Sequence, residues 1–454
     1  MMDKRRMLLM MGGGDTINET QTTYKGSAIY GISWAKTDTP LTRINASVGM
    51  VAAAGVDAGA VTNNFDTAEI FSEFTEETDA GSNVFIRIPK FYIRKTDTAT
   101  KKTWQICKKK MPGSYLPWCF WDFTNGVPLD YVDVGKYSAS LSGANKLESL
   151  SGKYPLINKN IVDYRTYAQA NGAGYQQLDI HTYDMLQVLF LIEFAKLDSQ
   201  SIMSGWTSGT YGATELLTAD TSPAGNVAIV SNATGAKFAV GQPISIGTSQ
   251  GGNQRFYGRN ITQIDVDTPG AGSTTITFDG AAVALATGDY LYNVGWKNGF
   301  SSGISASSGS LSHNTNGKNP FHYRGIENLY GNVWQFVDGI NINENQTWYC
   351  KNQADFASNL FASPYIQLGY VNKNANGYVK FMGYDAANPM VELPINVDAN
   401  YYKDYYFQST GQRIAVVGGN WAHGGDAGLF YWALNNSSAN AHIRIGGRLL
   451  KKAL

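Results

Sequence analysis

One stretch of the chain, between Thr182 and Leu197, is patterned as an α-helix. Its apolar residues follow the i, i+3, i+4 spacing on one face and also fill a second face: Met185, Leu186, Val188, Leu189, Phe190, Ile192, Phe194, Ala195 and Leu197. Thr182 can cap this helix, and Asp184 lies in the first turn, where the helix dipole favours a carboxylate. Because a helix that is apolar on two faces is buried between layers, the pattern predicts the central helix of a mixed α+β domain.

The region before this helix is patterned as short strands. From Tyr24 to about Lys110, apolar and polar residues alternate between frequent turn signals. The clearest strand runs from Val84 to Ile88, and a second follows from Lys90 to Lys95. The stretch from Phe65 to Phe71 is compatible with either a short helix or a strand. We therefore predict a β-rich region over residues 1–110.

The composition changes between Thr214 and Asn298. Short segments rich in Val, Ile and Thr recur there between Gly and Asn clusters: Val227 to Val230, Pro243 to Ile246, Ile261 to Val266, Thr274 to Phe278 and Asp289 to Val294. Even spacing of such segments is typical of a small all-β module. Since the sequence on both sides is alike, and surface loops tolerate inserted domains, we predict that residues 214–298 are an inserted β module.

Charge and cysteine usage exclude several classes of protein. The 36 Lys plus Arg residues balance 36 Asp plus Glu residues, which leaves no positive field to bind nucleic acid. The longest apolar run, Met185 to Ala195, is too short to cross a membrane. Cys107, Cys119 and Cys350 form no CxxC pair and no cluster with histidine, so neither a zinc site nor a disulfide framework is predicted.

The uncharged surface favours a binding protein. Only 16% of residues are charged, whereas the chain has 27 Tyr and 10 Trp. Tyr and Trp provide contact area at low entropic cost, and Ser, Gly and Asn provide adaptable hydrogen bonds. Met1 to Met11 combines basic residues with an apolar run that is shorter than in a secretion signal. We interpret it as an N-terminal arm.

Three motifs follow one another in the last third of the sequence. They are Gly331-Asn332-Val333-Trp334, Gly418-Gly419-Asn420-Trp421 and Ile445-Gly446-Gly447-Arg448. Their order and type resemble the branch of the C-type lectin superfamily that includes formylglycine-generating enzymes and variable phage proteins. The resemblance implies a C-type lectin fold for residues 111–213 together with 299–454. The predicted fold class is therefore α+β, with a C-type lectin fold, an inserted small all-β module and a β-rich N-terminal region.

The motif residues themselves are predicted to be structural. Gly331 permits a positive φ or a close backbone approach, and Asn332 can bond the backbone of its own turn. Trp334 and Trp421 can bury large apolar surfaces, and Gly418 and Gly419 leave room for Trp421. Arg448 can lie over the Trp421 ring or pair with Glu327 or Asp338.

The other functions found in the superfamily need residues that this chain lacks. Formylglycine-generating enzymes use a pair of cysteines late in the domain, and no cysteine follows Cys350. Calcium-dependent sugar binding uses Glu-Pro-Asn or Gln-Pro-Asp with Trp-Asn-Asp, and none of these triplets occurs. A structural ion site built from Asp338, Asn341 and Asn343 stays open as an alternative. No histidine has a metal-ligand spacing or an obvious carboxylate partner. We therefore predict a protein that is not an enzyme and that has no cofactor and no bound metal.

The segment from Gly418 to Arg448 resembles the variable region of a diversity-generating retroelement target, in which Asn codons are diversified. It contains no Lys, Glu, Gln or Met, which are among the residues that such codons cannot produce. The residues predicted to be exchangeable and to bind ligand are Ala422, His423, Asp426, Tyr431, Ala433, Ala439, Ala441, His442 and Arg444, among retained Asn435, Asn436 and Asn440. We expect Tyr431 and His423 to be exposed aromatic anchors.

These features predict a host-attachment protein. The expected role is receptor binding at the tail tip of a phage or prophage virion, with a variable C-terminal face that recognises a protein or glycan on the host cell. Other tail proteins and further copies of the chain, in a homotrimer, are the expected partners. The alternatives are a variable adhesin on a bacterial surface and an enzyme of the formylglycine-generating type.

Overall fold

The protein is mostly β. The computed structural model describes residues 17–37, 40–371, 375–397 and 401–454, so that the predicted N-terminal arm, Met1 to Met11, lies outside the described residues. Strands account for 39% of the chain and helices for 12%, and the strands form several sheets, one of them barrel-like and nearly closed. Three α-helices occur in the described ranges: α1 (Ile161–Gln169), α2 (Ile180–Phe194) and α3 (Asn232–Gly235).

The predicted α+β class, a C-type lectin fold, is therefore wrong. The prediction treated one strongly patterned helix as a complete layer of the domain, and it assigned no strands to residues 299–454. Those residues carry many β-branched and aromatic side chains between Gly and Asn, a composition that favours short strands. They contribute all the strands of the largest sheet.

Helix α2 lies at the centre of the molecule, as its two apolar faces predicted. All its residues are buried, and it packs against the strands Tyr30–Trp34, Trp334–Asn343 and Asn388–Val397. The predicted cap at Thr182 is wrong by three residues. Asp179 is the N-cap, and its carboxylate accepts a hydrogen bond of 2.7 Å from the Thr182 backbone N–H.

Two sheets come largely from the N-terminal half. One contains four antiparallel strands in the order Thr42–Asn45, Tyr30–Trp34, Lys102–Cys107 and Tyr92–Asp97. The other contains five, in the order Tyr175–Gln177, Leu449–Lys452, Tyr131–Gly135, Val84–Pro89 and Thr75–Thr78. The two strands predicted around Pro89 are confirmed. The ambiguous stretch from Phe65 to Phe71 is divided between two 3-10 helices, Asn64–Thr67 and Phe71–Glu73.

The largest sheet carries the C-terminal motifs. Its strands are Ile366–Val371, Gln346–Tyr349, Trp334–Asn343, Gln412–Val417, Trp432–Asn436, Tyr405–Gln408, Gly377–Asp385 and Asn388–Val397, in that order, with Ile445–Gly446 parallel to the start of Trp334–Asn343. A four-stranded sheet contains Ile326–Glu327, Phe321–Tyr323, Ser308–Ser310 and Gly55–Val56. Short hairpins pair Thr23–Tyr24 with Ser27–Ala28, Trp121–Asp122 with Val127–Pro128, and Ser140–Leu141 with Leu147–Glu148.

The five strands predicted between Thr214 and Asn298 are present and belong to one sheet. Their order is Val227–Ser231, Ser273–Phe278, Gly252–Val266, Pro243–Ser249 and Tyr290–Asn293. A two-stranded ribbon, Thr221–Gly225 with Val283–Leu285, and helix α3 complete the segment. Its buried apolar residues form a cluster of their own, drawn from residues 217–291. Whether the segment is a separable insertion stays a prediction.

A buried group of four charges joins α2 to two sheets. Lys95 Nζ lies 2.6 Å from Asp184 Oδ1 and 3.1 Å from Glu392 Oε2, and Lys102 pairs with the same Glu392. Burial raises the pKa of Asp184 to about 6. At Glu392, burial also acts to raise the pKa, but Lys102 and Lys95 outweigh it and lower the value to about 2. The two lysines thus balance the two carboxylates inside the core.

Candidate ligand-binding site

The three C-terminal motifs meet in space. The Gly331 N–H donates to the Gly418 carbonyl at 2.9 Å, and the Trp421 N–H donates to the Asn332 carbonyl at 2.9 Å. Trp334 pairs in parallel with Ile445, and its N–H donates to the Arg444 carbonyl at 2.9 Å. Backbone hydrogen bonds therefore hold residues from three separate stretches of sequence together as one unit.

Two glycines in this unit are required by their conformation. Gly331 has φ +69°, and a Cβ there would lie 3.1 Å from the Trp206 carbonyl oxygen. Gly419 has φ +78°, and a Cβ there would lie 2.6 Å from the Ala427 Cβ. The positive φ predicted for Gly331 is confirmed, and it disfavours other residues there. Gly419 leaves room for Ala427 and not, as predicted, for Trp421.

Asn332 and Trp421 are also structural. The Asn332 side-chain oxygen accepts a hydrogen bond of 2.6 Å from the Trp296 N–H, and its own N–H donates to the Trp206 carbonyl at 2.8 Å. Trp421 is fully buried in a cluster with Trp206, Tyr292, Val294, Val333 and Ile443. Because Tyr292 and Val294 come from the last strand of the 214–298 segment and from the residues after it, this cluster joins the segment to the motifs.

Arg448 differs from both of its predicted arrangements. It is completely buried, and its guanidinium donates to the carbonyls of Gly135, Lys136, Glu327 and Asn328 at 2.6 to 3.3 Å and to Gln335 Oε1 at 3.0 Å. It therefore contacts Glu327 through the backbone and not through the carboxylate. Burial lowers the pKa of Arg448 to about 10.

A cavity of about 320 Å³ opens above the paired motifs. Its walls come from the start of the strand Trp334–Asn343, from both ends of Trp432–Asn436 and from the loop that leads to Ile445–Gly446. The lining residues are Trp334, Phe407, His423, Tyr431, Ala433, Asn435, Asn436, Asn440, His442, Arg444 and Ile445.

Many of the residues predicted to bind ligand meet at this cavity. His423, Tyr431, Ala433, His442 and Arg444 line it, together with the retained Asn435, Asn436 and Asn440. The other predicted positions lie outside it: Ala422 is half-buried, Asp426 accepts a 2.7 Å hydrogen bond from the Tyr378 hydroxyl, and Ala439 and Ala441 are exposed.

Three rings form the floor of the cavity. The centroid of Trp334 lies 4.5 Å from that of Tyr431 and 4.9 Å from that of His423, and the last two are 5.5 Å apart. The interplanar angles are between 67° and 82°, an edge-to-face arrangement that aromatic rings favour. Tyr431 is only 5% exposed. The expectation that it is an exposed anchor is therefore wrong, because its ring packs edge to face against Trp334 and His423.

The two histidines are held neutral and present the same nitrogen. His423 Nδ1 accepts from the Asn420 N–H at 3.1 Å, and His442 Nδ1 accepts from the Arg444 N–H at 3.2 Å. A neutral ring whose Nδ1 accepts carries its proton on Nε2, so each ring offers an Nε2–H donor. Burial, with a smaller contribution from Arg444, lowers the pKa of both rings, that of His423 to about 4.

Arg444 is the cation of the cavity. Its guanidinium carbon lies 4.8 Å from the centroid of the Tyr211 ring, a cation–π contact that holds the group against that ring. Within the described part of the chain, its Nε is buried without an acceptor, and no carboxylate lies within ion-pair distance. The cavity thus contains one positive charge that no protein group neutralises.

Sequence reasoning missed part of the lining. Trp334 was assigned to the scaffold alone, although its ring also faces the cavity. Phe407 carries no signal in the sequence, since it reaches the site only through the parallel pairing of Phe407 with Ala433. Tyr211, which orients Arg444, lies far upstream and next to the 214–298 segment. Both residues depend on long-range pairing that local patterns do not contain.

The alternative ion site does not form. Arg165 donates to both oxygens of Asp338 at 2.7 and 2.9 Å, and Gln177 donates to Oδ2 at 2.9 Å. The Asn341 amide donates to the Ala357 and Leu360 carbonyls. Across the described residues, no group of three or more His, Cys, Asp or Glu side chains is placed to hold a metal ion.

The cysteines lack the setting of a reactive pair. Cys107, Cys119 and Cys350 are free and buried. Burial raises the pKa of the Cys119 thiol well above its usual range and that of Cys350 to about 11. Since the thiolate is the nucleophilic form, neither thiol is activated.

No protein-family model matches the sequence, and no curated protein sequence matches it either. None of the helices in the described ranges is both long enough and apolar enough to cross a membrane.

Proposed function

We propose that this protein is a receptor-binding protein that attaches a phage or prophage tail to its host cell, and that the cavity floored by Trp334 and Tyr431 is its ligand-binding site. The observation that carries the proposal is the convergence of five residues predicted to be exchangeable on one cavity, above a buried frame of motif residues. A surface that changes while the fold is kept needs this division between frame and lining.

The contacts within the site support binding more than catalysis. The histidines are neutral donors with no carboxylate partner among the described residues, and the thiols are buried. An activated nucleophile with an adjacent base, which acyl or glycosyl transfer would need, is not assembled by the residues that line the cavity. The aromatic floor and the amide groups instead match the composition of antibody binding surfaces.

Host attachment rests on the resemblance of the three motifs to those of variable phage proteins and on the Tyr-rich, charge-poor composition. The host receptor, other tail proteins and further copies of the chain are the proposed partners, and the tail tip of the virion is the proposed location.

The test is binding of the purified, fluorescently labelled protein to a panel of bacterial strains. H442A and R444A alter half-buried cavity residues that each make one contact within the fold, the His442 ring with the Arg444 N–H and the Arg444 guanidinium with the Tyr211 ring, whereas H313A alters an exposed histidine elsewhere. We expect the cavity variants to lose or change strain binding while they still unfold cooperatively, and H313A to bind as the unaltered protein does. Folded cavity variants that retain full binding would refute the site.

A further inference from the structure

We propose that the ligand of this cavity is a sugar unit that bears a single carboxylate, as in an acidic polysaccharide of a cell surface. The inference rests on the proposed function, which makes the cavity a binding site, and it adds the chemical class of the ligand. It follows from the charge, the hydrogen-bonding groups and the shape of the cavity, considered in turn.

The positive charge of the cavity favours a ligand with one negative charge. Arg444 is stacked on Tyr211 and has no ion-pair partner in the described ranges. A guanidinium that is already oriented binds a carboxylate through two parallel hydrogen bonds. Phosphate groups, which carry nearly two charges, are usually bound by clusters of arginines. Because Arg444 is the only Lys or Arg among the lining residues, a carboxylate is the better match.

The neutral groups of the cavity match hydroxyls. His423 and His442 each offer an Nε2–H donor. The amides of Asn440, Asn436 and Asn435 are linked in a chain, in which Asn440 donates to Asn436 and Asn436 donates to Asn435. This chain leaves an NH₂ group at the Asn435 end and an oxygen at the Asn440 end. Hydroxyl groups, which both donate and accept, can satisfy all these positions.

The size and floor of the cavity fit one ring. Its volume of about 320 Å³ is at the lower end for small-molecule sites. Trp334 and Tyr431 provide an apolar wall against which the C–H face of a sugar ring can pack. An Asp or Glu side chain of a protein receptor would satisfy Arg444 but would leave the imidazole and amide groups without partners, which costs free energy. The saccharide is therefore the ligand class that uses the whole site.

The experiment is calorimetric titration of the full chain with D-glucuronate, D-glucose and D-glucose 6-phosphate, which share a ring and differ at C6. Galacturonate and N-acetylneuraminate extend the acidic set to other ring geometries. We expect at least one acidic sugar to bind at least about tenfold more tightly than glucose and glucose 6-phosphate, the factor of one charge-assisted pair. The R444Q variant should lose this preference, and H313Q should keep it. Equal binding of neutral and acidic sugars, or binding of none of them, would overturn the inference.

The titrations and the strain-binding assay together test the ligand class and the attachment function separately. If R444A and R444Q lose strain binding but no acidic sugar binds, the cavity remains the receptor site and only the ligand class is wrong. Competition of strain binding by a Glu-rich peptide and not by acidic sugars would give the same result. If the variants bind cells normally while acidic sugars still bind the unaltered protein, the proposed attachment role fails and the sugar site stands.

Discussion

Arg448 shows why a charged residue can serve the fold and not the ligand. Its guanidinium is fully buried and donates to four backbone carbonyls and one side-chain oxygen. The carbonyls of residues 135–136 and 327–328 belong to parts of the chain that are far apart in sequence. One side chain therefore satisfies several buried acceptors at once, and it joins the C-terminal motif to two sheets.

We expect Arg448→Lys to destabilise the protein, although the charge is kept. A lysine ammonium cannot reach carbonyls on both sides of the planar fork, so at least two acceptors would be left unpaired, each at a cost of about 1 to 3 kcal/mol. Urea unfolding should show this loss in the free energy of unfolding. R413K, a change at a half-buried arginine outside the core, is the control. Equal stabilities of R448K and the unaltered protein would contradict the assigned role.

The protonation of His322 should make the stability of the protein depend on pH within a defined range. Burial lowers its pKa to about 4 from the ordinary value of 6.5, while its Nε2 lies 3.0 Å from the Ala306 carbonyl. The unfolded chain therefore binds a proton at a higher pH than the folded chain does. The contribution of neutral His322 to stability is complete above pH 6.5 and is lost as the pH falls toward 4.

The measurement compares the free energy of unfolding of the unaltered protein and of H322Q across this window. The difference between them should change by up to about 1.4 kcal/mol per pH unit. H313Q, at an exposed position, should leave the profile unchanged. A pH-independent difference between H322Q and the unaltered protein would show that His322 does not titrate as described.

The sequence predicted which residues line the cavity better than it predicted how their side chains are arranged. The absence of certain residue types between Gly418 and Arg448 pointed to this segment, and nine of its residues line the cavity, five of them among those predicted to be exchangeable. The exposure of Tyr431 could not be predicted, because its burial depends on the Trp334 ring, which is brought there from a strand nearly a hundred positions earlier. Local composition contains no information about that contact.

The two ends of the 214–298 segment form a neck of adjacent backbones, and Tyr257 in addition contacts Tyr154 outside the segment. The Leu217 N–H donates to the Asp289 carbonyl, and the Gly288 N–H donates to the Leu217 carbonyl, both at 2.9 Å. The chain thus enters and leaves the segment on adjacent backbones, as an insertion requires. Tyr292 and Val294 lie on the other side of this neck and pack with Trp421.

We therefore expect the effect of deletion to depend on where it is made. Replacement of residues 218–287 by a two-residue Asn-Gly turn should leave a soluble, cooperatively folded protein, because most of the removed apolar residues pack on one another. Deletion of all of 214–298 should lower the melting temperature more, since it exposes Trp206 and Trp421. Thermal unfolding followed by circular dichroism measures both. Loss of folded protein in the shorter deletion would mean that the segment is part of the main core.

The strands of this segment were predictable, whereas the largest sheet was not. Alternation of apolar residues between Gly and Asn clusters marked the strands from Val227 to Asn293 one by one. In the largest sheet, Trp334–Asn343 is almost entirely buried on both faces, and such a strand has no alternation to detect. Helix α2 was predictable because its pattern is continuous over four turns.

At the scale of the whole molecule, we expect the protein to assemble as a trimer. The net charge is zero and only 16% of residues are charged, so little electrostatic repulsion opposes association. Several copies would also raise the avidity of a site that binds each receptor weakly. Light scattering after size exclusion should give three times the chain mass at micromolar concentration, and a monomer under these conditions would reject the prediction.

The strand Leu449–Lys452 lies between Tyr175–Gln177 and Tyr131–Gly135 in the middle of a sheet, and it directly follows the segment proposed to vary. Single-base substitutions in that segment leave this strand intact. A shift of reading frame anywhere between Gly418 and Arg448 would replace it, and the sheet would lose an interior strand. If the segment is diversified, correct folding would therefore require that the reading frame is kept. Only variants that keep the frame could then be selected for binding to a new receptor.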